Sequence, residues 1–378
     1  MATAASYERI LGANDRVRIG GIGTGSRCQY LLSLLNKGGG SQIVAVCDVN
    51  EVRRQEAREK LAPDAREFLD YRQLLELTDV DAVVIGAPDH WHVPMTMDAV
   101  RAGKDVYVEK PVTHRIEEAE PLLAAVADSK RVVQSGMQQR SWPHFQQARE
   151  IVAGGGLGQI TFIRTYWYQN HLLGRGKRPP LDASKIDWKM FLGSAPDQPF
   201  SEERYLNWRW FWDFGGGALT DLFLHWVDVV HWYMSSDTPA DAEGIGANYV
   251  IPEWQWPDTL NAAFHYPGNF MVNFDCSLMG YLEGGGLMFH GTKAMMRLHR
   301  GGFAVYPEQP GYTELPDLKN VTQQAVSTHD GAIDHVQNFL DCVHSRGTPN
   351  APIAAGIAAA RAGQLGNKAL RSGDRVRA

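Results

Sequence analysis

The chain has 378 residues, 44% of them hydrophobic, with 37 basic against 43 acidic side chains and a net charge of −6. With a mean hydropathy of −0.30 this is the composition of an ordinary globular protein, long enough for two domains and a sizeable core. No long basic run and no apolar run of bilayer length occurs, so nucleic acid and membrane are set aside as partners.

The four cysteines, Cys28, Cys47, Cys276 and Cys342, are scattered without a C-x-x-C spacing. They indicate neither a zinc site nor a disulfide framework. The first twenty residues lack a charged stretch followed by an apolar one, so a cytoplasmic protein is the simpler expectation.

Along the first third, short apolar runs alternate with amphipathic ones. VRIGGIG (17–23) reads as a strand, followed by a glycine-rich turn and a helix over CQYLLSLLN. QIVAVCDV, DAVVIGAP, KDVYVEKP and RVVQSG are further strands, separated by the helical segments VRRQEAREKLA, MTMDAVRAG and EEAEPLLAAVADS. Such alternation predicts an α/β domain with a doubly wound parallel sheet covered on both faces.

The first turn reads Gly20-Gly21-Ile22-Gly23-Thr24-Gly25-Ser26-Arg27-Cys28. Gly23 and Gly25 supply the first two glycines of a dinucleotide fingerprint, where backbone must turn tightly and approach a pyrophosphate at a helix N-terminus. Cys28 stands at the third position, small enough for close helix–strand packing. Asp48 closes the second strand, where a carboxylate binds ribose hydroxyls and repels a 2′-phosphate, so NAD is expected rather than NADP. Its alternative is an N-cap of the next helix. Arg53 and Arg54 read as the solvated face of that helix.

The fourth strand ends in PDHWHVP, a loop carrying Pro88, His90 and His92. The two histidines suggest packing or cofactor-loop roles; no third ligand has a spacing that makes a metal site. The fifth strand ends in Glu109-Lys110-Pro111, where a lysine is placed to present a cation to a reacting oxygen.

After about residue 140 the texture changes. ITFIRTYWYQ, TLNAAFHY, FMVNFDCSL, GLMFHGT and AMMRLHR are longer strand-like runs joined by glycine-rich turns, and 332–345 and 353–370 are helical. This predicts an α+β domain with a large open, mostly antiparallel sheet. The expected division is 1–140 and 141–378. Within the second part, DFGGGALTDLFLHWVDVVHW (213–232) reads as one apolar helix with Asp221, His225 and Asp228 in line on one face. Such a line is either a satisfied core network or an active site. The aromatic run Trp208-Arg209-Trp210-Phe211-Trp212 before it suits sugar stacking or an interdomain core.

These motifs resemble the glucose–fructose oxidoreductase and inositol dehydrogenase (Gfo/Idh/MocA) family: the GIGTGSR turn, Asp48, PDHWH, Glu109-Lys110-Pro111, WRWFWDFGGGALTD and HVQNFLDCV occur in order. The resemblance implies a Rossmann domain, an open-sheet domain, and homodimers or homotetramers built through that sheet. It implies catalysis by Lys110, Asp221 and His225, with the nicotinamide cofactor NAD. Cofactor contacts are then expected from Gly23, Thr24, Gly25, Ser26, Arg27, Asp48, Pro88, His90, His92, Glu109 and Lys110. Arg140, Tyr168, His171, Arg209 and Trp212 are the substrate-pocket candidates.

In this reading His225 is the general base, working near the pKa of an unperturbed histidine; Lys110 steadies the oxygen, Asp221 orients, and Asp228 supports His225 from behind. The expected activity is hydride transfer from a secondary hydroxyl of a sugar, glycoside or cyclitol. Two rivals remain: a redox-neutral glycosidase or lyase that retains NAD, and a non-catalytic dinucleotide sensor. SYERILGANDRVRIG also resembles the start of mature domains exported by a twin-arginine signal; if such a signal has been removed, the protein is periplasmic.

Overall fold

The computed structural model describes residues 16–174, 181–308 and 318–378. Most of SYERILGANDRVRIG, the segment bearing on export, lies outside the described residues. Two sheets organise the chain.

The first is a six-stranded sheet built from β1 (Val17–Ile22), β2 (Ser41–Cys47), β3 (Arg66–Phe68), β4 (Ala82–Ile85), β5 (Asp105–Val108) and β6 (Val133–Ser135). Its order is β3-β2-β1-β4-β5-β6 and every pairing is parallel. Helices α1 (Ser26–Gly38), α2 (Glu51–Leu61), α3 (Asp89–Arg101) and α4 (Ala119–Ser129) connect the strands. β4 and β5 are buried at every position, which is why their sequences run apolar without alternation. The order reverses between β1 and β4, opening a crevice at the carboxyl ends of those strands.

Helix α5 (Pro143–Ala153) leads to the second sheet. Its strands are β7 (Ile160–Tyr168), β8 (Asp241–Ala247), β9 (Thr259–Tyr266), β10 (Phe270–Ser277), β11 (Gly285–Gly291), β12 (Ala294–His299), β13 (Gly302–Pro307), β14 (Gln323–Val326) and β15 (Val376–Arg377). They lie in the order β14-β13-β12-β11-β7-β10-β9-β8-β15, antiparallel except for β7 against β10. β9 and β10 alternate strictly between covered and open positions. One face of the sheet is therefore packed, and Phe223 stacks there on Phe264 and touches Phe274.

The expected single helix over 213–232 is two: α6 (Gly217–Asp221) and α7 (Leu224–Met234). At the join the amide of Phe223 reaches back five residues to the Ala218 carbonyl, a one-residue bulge that offsets the two helices. The last helices, α8 (Ala332–Ser345) and α9 (Ile353–Ser372), return to the first sheet. Val336, Phe339 and Leu340 of α8 share a core with Leu31, Leu35 and Ile43, while Ile353 and Ile357 of α9 join the core on the other side.

The third position of the glycine fingerprint is settled by packing. Cys28 is fully buried, and the strand beneath it makes room with Gly86, where an added Cβ would sit 2.8 Å from the Cys28 Cβ. The missing glycine of the helix is thus matched by one at the end of β4. Gly86→Ala should destabilise the protein by about 1–3 kcal/mol through overpacking. In a Cys28→Gly chain the same change should cost much less. Equal losses in urea unfolding of both backgrounds would refute this reciprocal packing.

Candidate active site

The glycine turn after β1 opens the crevice. Gly23 has φ +72°, and a Cβ there would lie 2.5 Å from the Ala87 amide nitrogen, so only glycine fits. Gly25 precedes α1 without a side-chain cap, leaving the first N–H groups of that helix open at a cavity lined by Gly23, Gly25, Ser26 and Arg27. The cavity holds about 650 Å3 and takes in Asp48 and Pro88 as well. Thr24 is buried under the turn with no partner for its hydroxyl among the described residues. This cradle fits a dinucleotide: N–H donors for a pyrophosphate, then a carboxylate for a ribose.

Asp48 does not cap the next helix. Asn50 does, its Oδ1 accepting from the amides of Val52 (2.9 Å) and Arg53 (3.4 Å). Asp48 instead accepts from the Asn50 amide at 2.8 Å, and burial raises its pKa against the opposing pull of Arg53. Arg53, expected on a solvated face, lines the cavity with its guanidinium 5.0 Å over the Tyr205 ring. Arg53 falls in the first turn of the helix, which begins at Glu51, and from there its side chain faces the cavity.

The far wall comes from residues 189–209 of the second part, including Lys189, Phe191, Tyr205, Trp208 and Arg209. This segment is fastened to the first sheet at both ends of the cavity. Asn50 Nδ2 donates to the Tyr205 hydroxyl at 3.0 Å and the Asp187 amide to the Val49 carbonyl at 3.0 Å. The Trp91 indole donates to the Phe191 carbonyl at 2.9 Å.

PDHWHVP forms the first turns of α3 rather than a loop. His90 Nε2 meets the Phe191 carbonyl at 2.9 Å, and burial pushes its pKa down to about 4. His92 bridges the carbonyls of Pro111 (2.6 Å) and Ala87 (2.8 Å), tying the β5 loop to the cradle. Both rings are buried supports behind the cavity wall. Glu109 is likewise committed, bound to Arg27 Nε at 2.6 Å; burial pushes its carboxyl up, but Arg27 and Lys110 together hold it low.

Lys110 carries the loop across to the second part. Its ammonium donates to the Asp221 carboxylate and, at 2.8 Å, to the Asp221 backbone carbonyl, which the break between α6 and α7 leaves open. Arg209 Nε adds a contact to the same carboxylate at 3.3 Å. Burial alone would raise the Asp221 pKa, but Lys110 and Arg209 bring it to about 2. The fixed line of groups at i, i+4 and i+7 is therefore not what brings Asp221 to Lys110; the helix break is.

His225 is 6% exposed and stacks on Trp167, ring centroids 5.9 Å apart. Its Nδ1 has no hydrogen-bond partner among the described residues. Burial first, then the cations Arg300, Lys110 and Arg27, push its pKa well below 6.5, so it is not the unperturbed histidine expected. It is held neutral, as a proton acceptor must be.

Several other candidates lie elsewhere. Asp228 does not support His225; both its oxygens accept from Arg140 Nε at 2.9 Å, and Arg140 is thereby committed to a buried ion pair rather than a substrate. α7 turns that position toward the Gln138–Ser141 turn, which carries Arg140. Tyr168 points to the opposite face of β7, donating to Asp275 beside Arg164. Strand alternation puts Trp167 on the His225 side instead, a one-residue difference that sequence without register does not resolve. His171 packs edge-on against Trp210 and Trp254 at 5.5 and 6.1 Å. Trp212 is 42% exposed beneath the Arg371 guanidinium, and Trp208, not Trp212, lines the cavity with Arg209. Trp208 belongs to the aromatic run singled out in the sequence; Trp167 and Arg300 carry no motif, and only the pairing of strands and turns reveals them.

Comparison with known proteins follows this geometry. Residues 17–137 match the description "Oxidoreductase family, NAD-binding Rossmann fold", and residues 191–297 match the "GFO/IDH/MocA C-terminal domain", together more than half of the chain. The inositol 2-dehydrogenase of Agrobacterium fabrum is 36% identical over 223 residues, 58% of this chain and 55% of that one. That of Salmonella paratyphi B is 26% identical over 222 residues, 58% of this chain and 54% of that one. The chain thus aligns with little more than half the length of these curated relatives. Among solved structures, a levoglucosan dehydrogenase in complex with NADH and levoglucosan superposes with a TM-score of 0.74 at 17% identity, covering 96% of this chain and 99% of that one. The myo-inositol 2-dehydrogenase of Lactobacillus plantarum gives 0.72 at 19% identity with the same coverage, a likeness of fold. With its NAD-binding Rossmann domain and its open-sheet partner, the chain belongs to the Gfo/Idh/MocA family of oxidoreductases.

Proposed function

We propose that this chain is an NAD-dependent oxidoreductase that moves a hydride between a secondary hydroxyl of a sugar, glycoside or cyclitol and nicotinamide. The observation that carries the reading is the meeting of Lys110 from one half with Asp221 and a neutral His225 from the other. Bound NAD supplies the hydride acceptor. His225 takes the hydroxyl proton, and Lys110 meets the oxygen on which negative charge develops. Asp221 holds the Lys110 ammonium in place and is itself kept ionised by it. The carbohydrate class is supported by the relatives named inositol 2-dehydrogenase. Homodimers or homotetramers through the second sheet are part of the same proposal.

The fastened segment between Asp187 and Arg209 favours a second reading. It forms one wall of the dinucleotide cavity and is tied by these contacts to the loops that carry the opposite wall. A retained NAD suits a redox-neutral cycle, in which oxidation at one sugar carbon assists bond cleavage at its neighbour and the hydride then returns.

Three outcomes are expected. Lys110→Met should lower kcat by about a hundred- to a thousandfold with NADH binding intact; loss of NADH binding in step with kcat would make Lys110 a cofactor residue only. The proton acceptor must be neutral, and burial depresses its pKa, so kcat/KM should stay level down past pH 6.5 and fall only below it. An acid limb centred at or above 6.5 would remove His225 from the role. Finally, protein purified without added nucleotide and then denatured should release NAD or NADH; about one per chain supports the redox-neutral cycle, and an empty protein supports ordinary dehydrogenation.

A further inference from the structure

The turn between β12 and β13 places Arg300 in a second cavity, about 320 Å3, at the end of the second sheet beside Trp167 of β7. Trp167, Trp226, Arg297 and His299 are among its walls. The Arg300 guanidinium lies 5.4 Å from the Trp167 ring centroid, and the same indole stacks on His225. One tryptophan therefore joins this cavity to the reacting centre.

Among the described residues Arg300 is a cation without an anion in salt-bridge reach. Its Nε is buried and has no hydrogen-bond partner among the described residues. The acidic groups that act on it from farther off are already held: Asp221 by Lys110 and Arg209, Glu109 by Arg27, and Asp330 by the Tyr30 hydroxyl. The other polar walls are also engaged, Glu283 with Arg164 and the His299 ring with the Gly301 amide. Burial, with Arg27 nearby, lowers the Arg300 pKa to about 10, which still leaves it charged at neutral pH. A half-buried guanidinium whose Nε has no partner among the described residues is costly, and a cost of this kind beside a reacting centre points to a ligand that supplies the opposite charge.

We propose that Arg300 binds a carboxylate of the substrate, and that the substrate is an acidic sugar, a glycuronate or an aldonate, lying against Trp167 with its reacting hydroxyl toward His225 and Lys110. A planar carboxylate matches the guanidinium fork with two parallel hydrogen bonds. Arg300 is thus a residue of substrate choice, and the inference rests on the hydride-transfer reading given above.

The test compares acids with uncharged counterparts of the same shape. D-glucuronate, D-galacturonate and D-gluconate are set against D-glucuronamide, D-galactose and D-glucitol, with binding read by calorimetry in excess NADH and turnover by NAD reduction. At least tenfold tighter binding of an acid is expected in the wild type. Arg300→Gln should erase that preference, Arg300→Lys should keep part of it, and both should leave NADH affinity unchanged. Equal binding of acids and uncharged sugars by the wild type would overturn the inference without any variant. So would a loss of NADH affinity in Arg300→Gln as large as the loss for acids, since Arg300 would then serve the nucleotide phosphates. Reduction of NAD by uncharged sugars with no preference for acids sinks this inference and leaves hydride transfer standing. Arg300-dependent binding of acids without any NAD reduction does the reverse.

Discussion

The ion pair of Lys110 and Asp221 is the contact on which the site depends. One partner ends a strand of the first sheet and the other ends a short helix packed on the second, and their side chains are only 11% and 14% exposed. In such a place neither charge is tolerable alone; removing one partner of a buried pair typically costs about 3–5 kcal/mol. Because the ammonium reaches both the carboxylate and the backbone carbonyl of Asp221, it fixes a position in space as well as a charge. Arg209 adds a second cation, so the surroundings of His225 carry more positive than negative charge. Burial first, and behind it the cations Arg300, Lys110 and Arg27, keeps the imidazole neutral.

Much of this was legible in the sequence because the signals were local. The glycine turn, Asp48 and Glu109-Lys110-Pro111 each sit where a parallel strand ends, and the strand pattern alone locates those ends. Lys110 and Asp221 lie together in the fold, and the cause of their meeting is one that no residue type announces, a bulge at Leu222–Phe223. The misplaced candidates share one cause. Arg140, Tyr168 and Trp212 were assigned by residue type near the right element, and the direction in which each side chain leaves its backbone decides otherwise. For Tyr168 the difference is a single step along a strand, and every side chain on the wrong parity points away.

The same limit explains why Arg300 and Trp167 were not seen. Both face the site from the second sheet, whose strand order β11-β7-β10 joins segments more than a hundred residues apart. Apolar periodicity tells that such strands exist and which side is covered, but not which strand lies beside which. The residues of the chemistry thus come from short motifs, while those that shape the pocket come from long-range pairing.

The return of α8 and α9 to the first sheet bears on how the protein comes into being. Val336, Phe339 and Leu340 complete a core begun by Leu31, Leu35 and Ile43, some three hundred residues earlier in synthesis. The nucleotide-binding half, though written first, waits with an uncovered apolar flank until nearly the whole chain has left the ribosome. Assembly is then closer to a clasp than to two beads made in turn, and the half-made protein is the form most exposed to aggregation.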